Sequence, residues 1–440
     1  MRLIFIQQDA AAMPADAPGT RRKDLVELSV ERVGARGDGI AFYQGKPVFL
    51  PFTVPGDRVL AGLGQSRGGG REGRIVERLA SGTGRTAPPC SHFGVCGGCT
   101  LQHLEEATYR AVKLGALSAA LERVDIDPGV VRPLRVVPPG RRRVRLRLAR
   151  PHDPRLPLRI GFRERYRHAV VDLTECLVME RQLFAVSQAL RELAGHILLP
   201  GGNAEVTLTR TDSGIDLLIE AAERPELGAL EALARFAEEC DLARVVWLAP
   251  GDEVPVVQRR PVRVLLSGIA VPFPPGAFLQ ASQSAETILI EEVLSGVGPR
   301  RPVVDLFAGL GPFSFALAQG GLVHAVEGEM RATIALARAA ADQANVTVEQ
   351  RDLAREPPSA EELARYAAAV FNPPRTGAIK VAEALAVSRL GTVVAISCNP
   401  ATFARDAAKL IAGGYRLEQV TPVDQFVWTS HLEVAAVFRR

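Results

Sequence analysis

Residues 302–319 read PVVDLFAGLGPFSFALAQ, and three local patterns follow one another in them. The apolar run from Val303 to Leu306 reads as a buried strand. Gly309 and Gly311 then break the run, and the residues after them continue as a helix. Glycines at a strand end let backbone amides come close to a ligand, and the helix N-terminus behind them favours negative charge. The loop lacks the GxGxxG spacing of a nicotinamide dinucleotide site, because Pro312, Phe313 and Ser314 follow Gly311. Glu327 ends the next strand, in LVHAVEGE, where it can accept hydrogen bonds from a ribose diol.

The alternation continues to the C-terminus. Helix RATIALARAAADQA, strand VTVEQRD, and the strands of YAAAVFNPP, GTVVAISCNP and LEVAAVF follow, with helices IKVAEALAVSRL and ATFARDAAKLIAGG between them. Such alternation argues a doubly wound α/β sheet over residues 276–440, with ligands at the C-terminal ends of the strands. Its glycine loop and closing acid resemble a class I, Rossmann-like arrangement for S-adenosylmethionine (AdoMet). Residues 84–275 mix strands (RRVRLRLAR, AEVTLTR, GIDLLIEA, ARVVWLAP) with helices (ERQLFAVSQALRELAGHI, LGALEALARFAEEC), the mark of an α+β central domain. Residues 24–83 hold short strands between turn signals such as ARGDG and VPGD, and read as a small OB-like β-barrel, a frequent nucleic-acid binder. Residues 1–23 read as a flexible tail whose apolar run is too short for a secretory signal. No stretch of 18 apolar residues appears, so the expectation is a cytoplasmic protein without a membrane span.

The 440 residues are 47% hydrophobic and 23% charged, ordinary values for a multidomain globular chain. The net charge of +4 is unevenly spread. Between Val131 and His168 stand Arg141, Arg142, Arg143, Arg145, Arg147, Arg150, Arg163, Arg165 and Arg167, against the acids Asp153 and Glu164. Arginines pair with phosphates in a bidentate way, so a groove for an RNA backbone is one expectation and a solvated basic face the other.

Six cysteines are too few for a disulfide scaffold. Cys90, Cys96 and Cys99 have the spacing C-x5-C-x2-C, and Cys176 offers a fourth thiolate downstream. Spacing alone leaves a 4Fe–4S cluster and a zinc site both open, and His92 offers zinc an imidazole. Cys240, in FAEECDLARV, reads as a packing residue. Cys398, in VVAISCNPATFARD (393–406), lies where a strand ends and a loop begins.

Together these motifs resemble the RNA uracil-5-methyltransferases, which use AdoMet to make 5-methyluridine. PPCSHFGVCGGCTLQH is similar to that family's iron–sulfur motif, and the N-terminal barrel to its TRAM domain. FLQ, DLFAGLG, VEGE, NPPRTG, SCNPATFARD and HLE match its methyltransferase motifs in order. The resemblance implies a 4Fe–4S cluster on Cys90, Cys96, Cys99 and Cys176, and AdoMet contacts at Gln280, Phe307, Glu327 and Asp352, with Asn372 beside them. It implies Cys398 as nucleophile and Glu433 as general base, with His431 either orienting substrate or structural. Three positions depart from the family pattern: Asn372 replaces the aspartate of Asp-Pro-Pro-Arg, Pro312 an asparagine after GLG, and Ser282 an asparagine that follows FxQx. Uracil C5 attacks a methyl sulfonium poorly; thiolate addition at C6 makes C5 an enolate carbon that can. A thiolate needs an exposed, electropositive setting, which a strand end can supply. The partner implied is RNA, ribosomal rather than transfer RNA, bound by a monomer. The rival readings are a non-catalytic RNA-binding protein of the same fold and a zinc or redox protein.

Overall fold

The computed structural model describes residues 25–440 except Tyr166 and His168; the expected tail at 1–23 lies outside the described residues. The chain divides into two compact units. One comprises the chain up to Ala116 with Arg163–Val171 and Trp428–Ser430; the other comprises Leu117–Phe162, Asp172–Val427 and His431–Arg440. The boundary expected at 83/84 falls inside the first unit, so the segment with Cys90, Cys96 and Cys99 belongs with the N-terminal strands.

The first unit carries a six-stranded mixed sheet built from Leu25–Ser29, Arg32–Val33, Gly39–Tyr43, Lys46–Leu50, Arg58–Arg67 and Gly70–Ala80. The last two form a long hairpin turned by Gly68 and Gly69, both at positive φ, as tight hairpin turns require. Leu28, Val30, Ala41, Val48, Leu50, Val59 and Ala61 pack its core. Asp57, fully buried, accepts from the N–H groups of Val54 and Gly82 and pairs with Arg85, which ties the loops at one end of the sheet together.

The second unit holds two sheets of function-relevant size. The first runs in the order Asp252–Gln258, Leu242–Ala249, Gly214–Ala221, Asn203–Thr211, Arg143–Ala149, Arg159–Gly161, and helices Arg181–Ile197 and Leu227–Glu239 pack on it. The α+β expectation for this region matches. The second sheet has eight strands: β1 (Arg135–Val136), β2 (Val303–Leu306), β3 (Val323–Glu327), β4 (Val346–Gln350), β5 (Ala368–Phe371), β6 (Thr392–Ser397), β7 (Arg416–Asp424) and β8 (Glu433–Arg439). Their order is β4-β3-β2-β5-β6-β8-β7-β1. The five strands from β4 to β6 run parallel, and β8 then lies antiparallel to both β6 and β7. Helices α1 (Gln283–Val297), α2 (Pro312–Ala318), α3 (Met330–Ala340), α4 (Ile379–Val387) and α5 (Pro400–Ala412) connect and cover them. Strand order reverses between β2 and β5, which opens a crevice beyond their C-terminal ends. Residues 135–136, expected in the central domain, instead pair with Val423 and Asp424; two residues are too short a strand to leave a periodic signal.

Among the described residues no helix is long and apolar enough to cross a membrane.

Candidate active site

The crevice begins at the glycine loop after β2. Phe307, Gly309 and Gly311 have φ of 63°, 57° and 87°. A Cβ on Gly311 would stand 2.5 Å from Leu336 of α3, whereas one on Gly309 would meet nothing within 4 Å. Gly311 is therefore a packing requirement, and Gly309 leaves its side open for a ligand. Glu327 at the end of β3 accepts from the N–H of Gly309 at 2.8 Å and of Glu329 at 2.7 Å, which fixes its carboxylate at the rim. Asp305, in β2, did not attract notice in the sequence. It is fully buried, its Oδ2 accepts from Ser314 Oγ at 2.6 Å, and its Oδ1 has no partner among the described residues. Burial, reinforced by the charge of Glu327, pushes its pKa up to about 7.

Cys398 and Glu433 meet on the other side of β5. Ser397 of β6 stands opposite Val434 of β8 in an antiparallel ladder. That pair closes the ladder; Cys398 is the next residue after β6 and Glu433 the first of β8, and the charge of Glu433 acts on the Cys398 thiol. Cys398 sits just before α5. Asn399 caps that helix, accepting from the N–H of Ala401 at 3.1 Å, and Pro400 takes the first turn. Asn399 Nδ2 and Thr402 Oγ1 also donate to the carbonyl of Arg375, so the NPPRTG and SCNP loops form one rigid lip. Arg375 Nη2 in turn reaches Nδ1 of His431 at 3.4 Å.

The expected open, electropositive setting of Cys398 needs correction. The thiol is half-buried, and burial raises its pKa, with Glu433 adding to the rise and Arg375 opposing it. The resting side chain is a thiol beside a carboxyl group. Glu433 itself is buried, and its pKa is pushed up to about 7 by burial, against the hydrogen bond it accepts from Gln425 Nε2 at 2.7 Å. A carboxylate with that pKa can give and take a proton near neutrality.

The other anticipated cofactor residues lie along the same crevice edge or near it. Gln280 is buried, and its side-chain oxygen accepts from Gln425 at 2.9 Å. Asn372 follows β5 and donates its backbone N–H to Leu306 at 3.2 Å, joining the two central strand ends. Asp352 follows β4; its Oδ1 accepts from the N–H groups of Ala354 and Arg355, which orients it within its own turn. Two of the departures from the family pattern have local accounts. Ser282 caps α1 by accepting from the N–H of Ala285 at 3.2 Å, a task serine and asparagine share. Pro312 occupies the first position of α2, where its missing N–H would be unsatisfied in any case.

The family model of tRNA (uracil-5-)-methyltransferases matches residues 273–440, the segment that contains the crevice. An uncharacterized RNA methyltransferase of Rhizobium meliloti is 36% identical, over 94% of this chain and 99% of its own length. The 23S rRNA (uracil(1939)-C(5))-methyltransferase RlmD of Halomonas elongata is 34% identical, over 97% of this chain and 91% of its own. The chain belongs to the RNA uracil-5-methyltransferase family. In fold it is similar to a tRNA (uracil-54, C5)-methyltransferase of Pyrococcus abyssi solved with S-adenosyl-L-homocysteine, with a TM-score of 0.71 and 22% identity over 94% of this chain and 100% of that one.

The cysteine motif and the arginine stretch fare differently from the crevice. Cys90, Cys96 and Cys99 lie in the first unit and Cys176 in the second. Among the described residues no three His, Cys, Asp or Glu side chains gather as a metal-holding group. What speaks for a soft metal is the all-thiol donor set and the N–H of Gly98, which donates to Cys96 Sγ at 3.4 Å. Cys240 closes helix Leu227–Glu239 rather than filling a core, and is partly exposed. The arginines expected to line an RNA groove are largely engaged within the protein. Arg142 is buried on Glu286 at 2.6 Å, Arg145 pairs with Glu220 at 3.1 Å, and Arg147 with Glu205 at 2.6 Å. Arg150 donates to the carbonyls of Gly195 and Leu198, and Arg165 pairs with Asp38 while stacking over Phe52. The neutralising carboxylates come from strands, a helix and a loop remote in sequence, beyond the reach of a count along 131–168.

Proposed function

We propose that this protein methylates C5 of uridine in RNA, 23S ribosomal RNA in particular, with AdoMet as methyl donor and Cys398 as a transient covalent nucleophile. Cys398 follows the last residue of β6 and Glu433 opens the antiparallel strand β8 beside it, and that nearness carries the reading. A family member needs one group that adds to C6 and one that takes the proton from C5, both facing the same base. AdoMet supplies the methyl group as an electrophile; the residues proposed to hold it are Gln280, Phe307, Glu327, Asp352 and Asn372. The open side of Gly309 suits a ligand there.

The residues then divide the work. Cys398 gives its proton to solvent, and the S–C6 bond forms as the C5–C6 π electrons move toward C5 and the O4 carbonyl. The C5 carbon takes the methyl group and still carries its hydrogen. Glu433 removes that proton; the electron pair re-forms the C5–C6 double bond and expels the Cys398 thiolate, which returns the enzyme. Arg375 stabilises the thiolate through its charge, and the helix N-terminus behind Cys398 acts in the same direction. Burial favours the thiol form of Cys398, so its proton must leave before the sulfur adds.

Two experiments test this. Glu433→Gln should still add Cys398 to uridine and then stall as a protein–RNA adduct on a denaturing gel, whereas Cys398→Ala forms none. Wild-type turnover by Glu433→Gln without trapped RNA removes the assignment. Mapping of 5-methyluridine in a strain lacking the gene should show one site lost from 23S ribosomal RNA; a loss confined to transfer RNA replaces the substrate.

We also propose that Cys90, Cys96, Cys99 and Cys176 hold a 4Fe–4S cluster that serves the fold and not the chemistry. Protein purified without oxygen should be brown with about four irons per chain. Stoichiometric zinc in place of iron would sink it. The proposed working form is a monomer in the cytoplasm.

A further inference from the structure

Gln425 follows β7 and is 3% exposed. Its amide is used completely. One Nε2 hydrogen goes to Glu433 Oε2 at 2.7 Å and the other to Gln280 Oε1 at 2.9 Å, while its own oxygen accepts from the N–H of Ala281 at 3.0 Å. An amide with two donors and two different acceptors has its orientation fixed. It fixes Gln280 as well, which must turn its oxygen to Gln425 and leave its NH2 group for the crevice. Behind them Arg142 Nε donates to the backbone carbonyl of Gln280 at 3.1 Å and binds Glu286, so the far end of the chain is anchored by a buried ion pair.

We propose that Gln425 is a positioning residue for this reaction: it holds the Glu433 carboxylate ionised and aimed along the Cys398 face, and locks it to Gln280. The inference rests on reading Glu433 as the proton acceptor. A buried carboxylate strongly prefers to be neutral, and a hydrogen bond donated to its charged form offsets part of that preference. The Gln425 amide is the group that opposes burial at Glu433. The other charged groups on the elements around it act less directly. Cys398 at the end of β6 interacts with it, Asp424 lies on β7, and Glu286 on α1 and Asp406 on α5 are neutralised by Arg142 and Arg405. Arg375 and His431 stand at the lip.

Gln425→Met keeps length and bulk and removes both donors. The rising limb of the pH profile for release of methylated RNA should move about one unit to higher pH, leaving release about fivefold slower at pH 7 and close to wild type at pH 9. The covalent adduct should build up at neutral pH and vanish at alkaline pH, with KM for RNA little changed. A role in packing alone would slow the enzyme by one factor at every pH. Either that outcome or an unmoved profile overturns the proposal. Should the Met variant fail to fold, Gln425→Glu keeps a polar side chain of the same length; its carboxyl should move the limb in the same direction, and an unmoved limb again overturns it. Glu433→Gln run in parallel separates the two readings. Trapped RNA there with an unmoved Gln425→Met profile removes Gln425 alone, while free turnover of Glu433→Gln removes the base on which it depends.

Discussion

Two demands oppose each other at Glu433. A base that takes a carbon-bound proton gains from a raised pKa, yet it works only when ionised. Burial raises the group to about 7 and Cys398 is raised beside it, and in the proposed mechanism both act without their protons. Turnover should therefore climb with pH through about 7, and a bell with its maximum below pH 6 would contradict these roles. Asn372 poses a related question, since it replaces a charge that the family pattern puts beside the cofactor. Its neighbours Pro373, Pro374 and Arg375 are unchanged and its backbone still bonds to Leu306. Asn372→Asp should accordingly keep or raise turnover; a folded but inactive variant would show a pocket shaped around the amide. The sequence could point to Cys398 and Glu433 because each sits in a dense motif. Asp305 and Gln425 escaped it for different reasons. One is an acid inside an apolar strand, legible only once its burial is known, and the other a single glutamine whose three partners come from residues 280, 281 and 433.

At the scale of elements, the loop from β2 to α2 can be dissected glycine by glycine. Both Gly309 and Gly311 hold positive φ, so alanine costs about 1 kcal/mol of backbone strain at either. At Gly311 the added methyl also meets Leu336 and Phe315, and overpacking of that kind adds about 1–3 kcal/mol. Gly311→Ala should thus lower the melting temperature clearly. Gly309→Ala should fold with a small loss and instead weaken AdoMet binding, measured by calorimetry, because its methyl points into open space at the crevice. Equal effects of the two on stability and binding would refute this division of labour. The strand–glycine–helix pattern of 302–319 was readable because local periodicity and turn chemistry agree there. The ladder of β6, β8 and β7 was not, since partners 10 to 47 residues apart leave no trace in a window, and β1 is shorter than any period.

For the whole molecule the main lesson is where charge goes. The arginine-rich stretch looked like a surface for RNA, but its strand Arg143–Ala149 lies against Asn203–Thr211, whose Glu205 meets two of its arginines. Arg147→Ala should then leave the salt dependence of RNA binding unchanged; a slope reduced by about one would restore that arginine to the interface. Acids buried in the catalytic sheet make the opposite kind of charge statement. Asp305 and Glu433 both have folded pKa values near 7, above those of the unfolded chain. Their neutral forms favour the folded state, so this contribution is complete at low pH, declines as pH rises from about 4, and is gone above about 7. Asp305→Asn keeps an acceptor for Ser314 Oγ and removes the titration. The unfolding free energy of the variant relative to wild type, measured in urea, should increase from pH 5 to pH 7 and level off beyond. A difference that stays flat over that range would mean that Asp305 is ionised in the folded protein, with a counter-charge supplied to its open Oδ1.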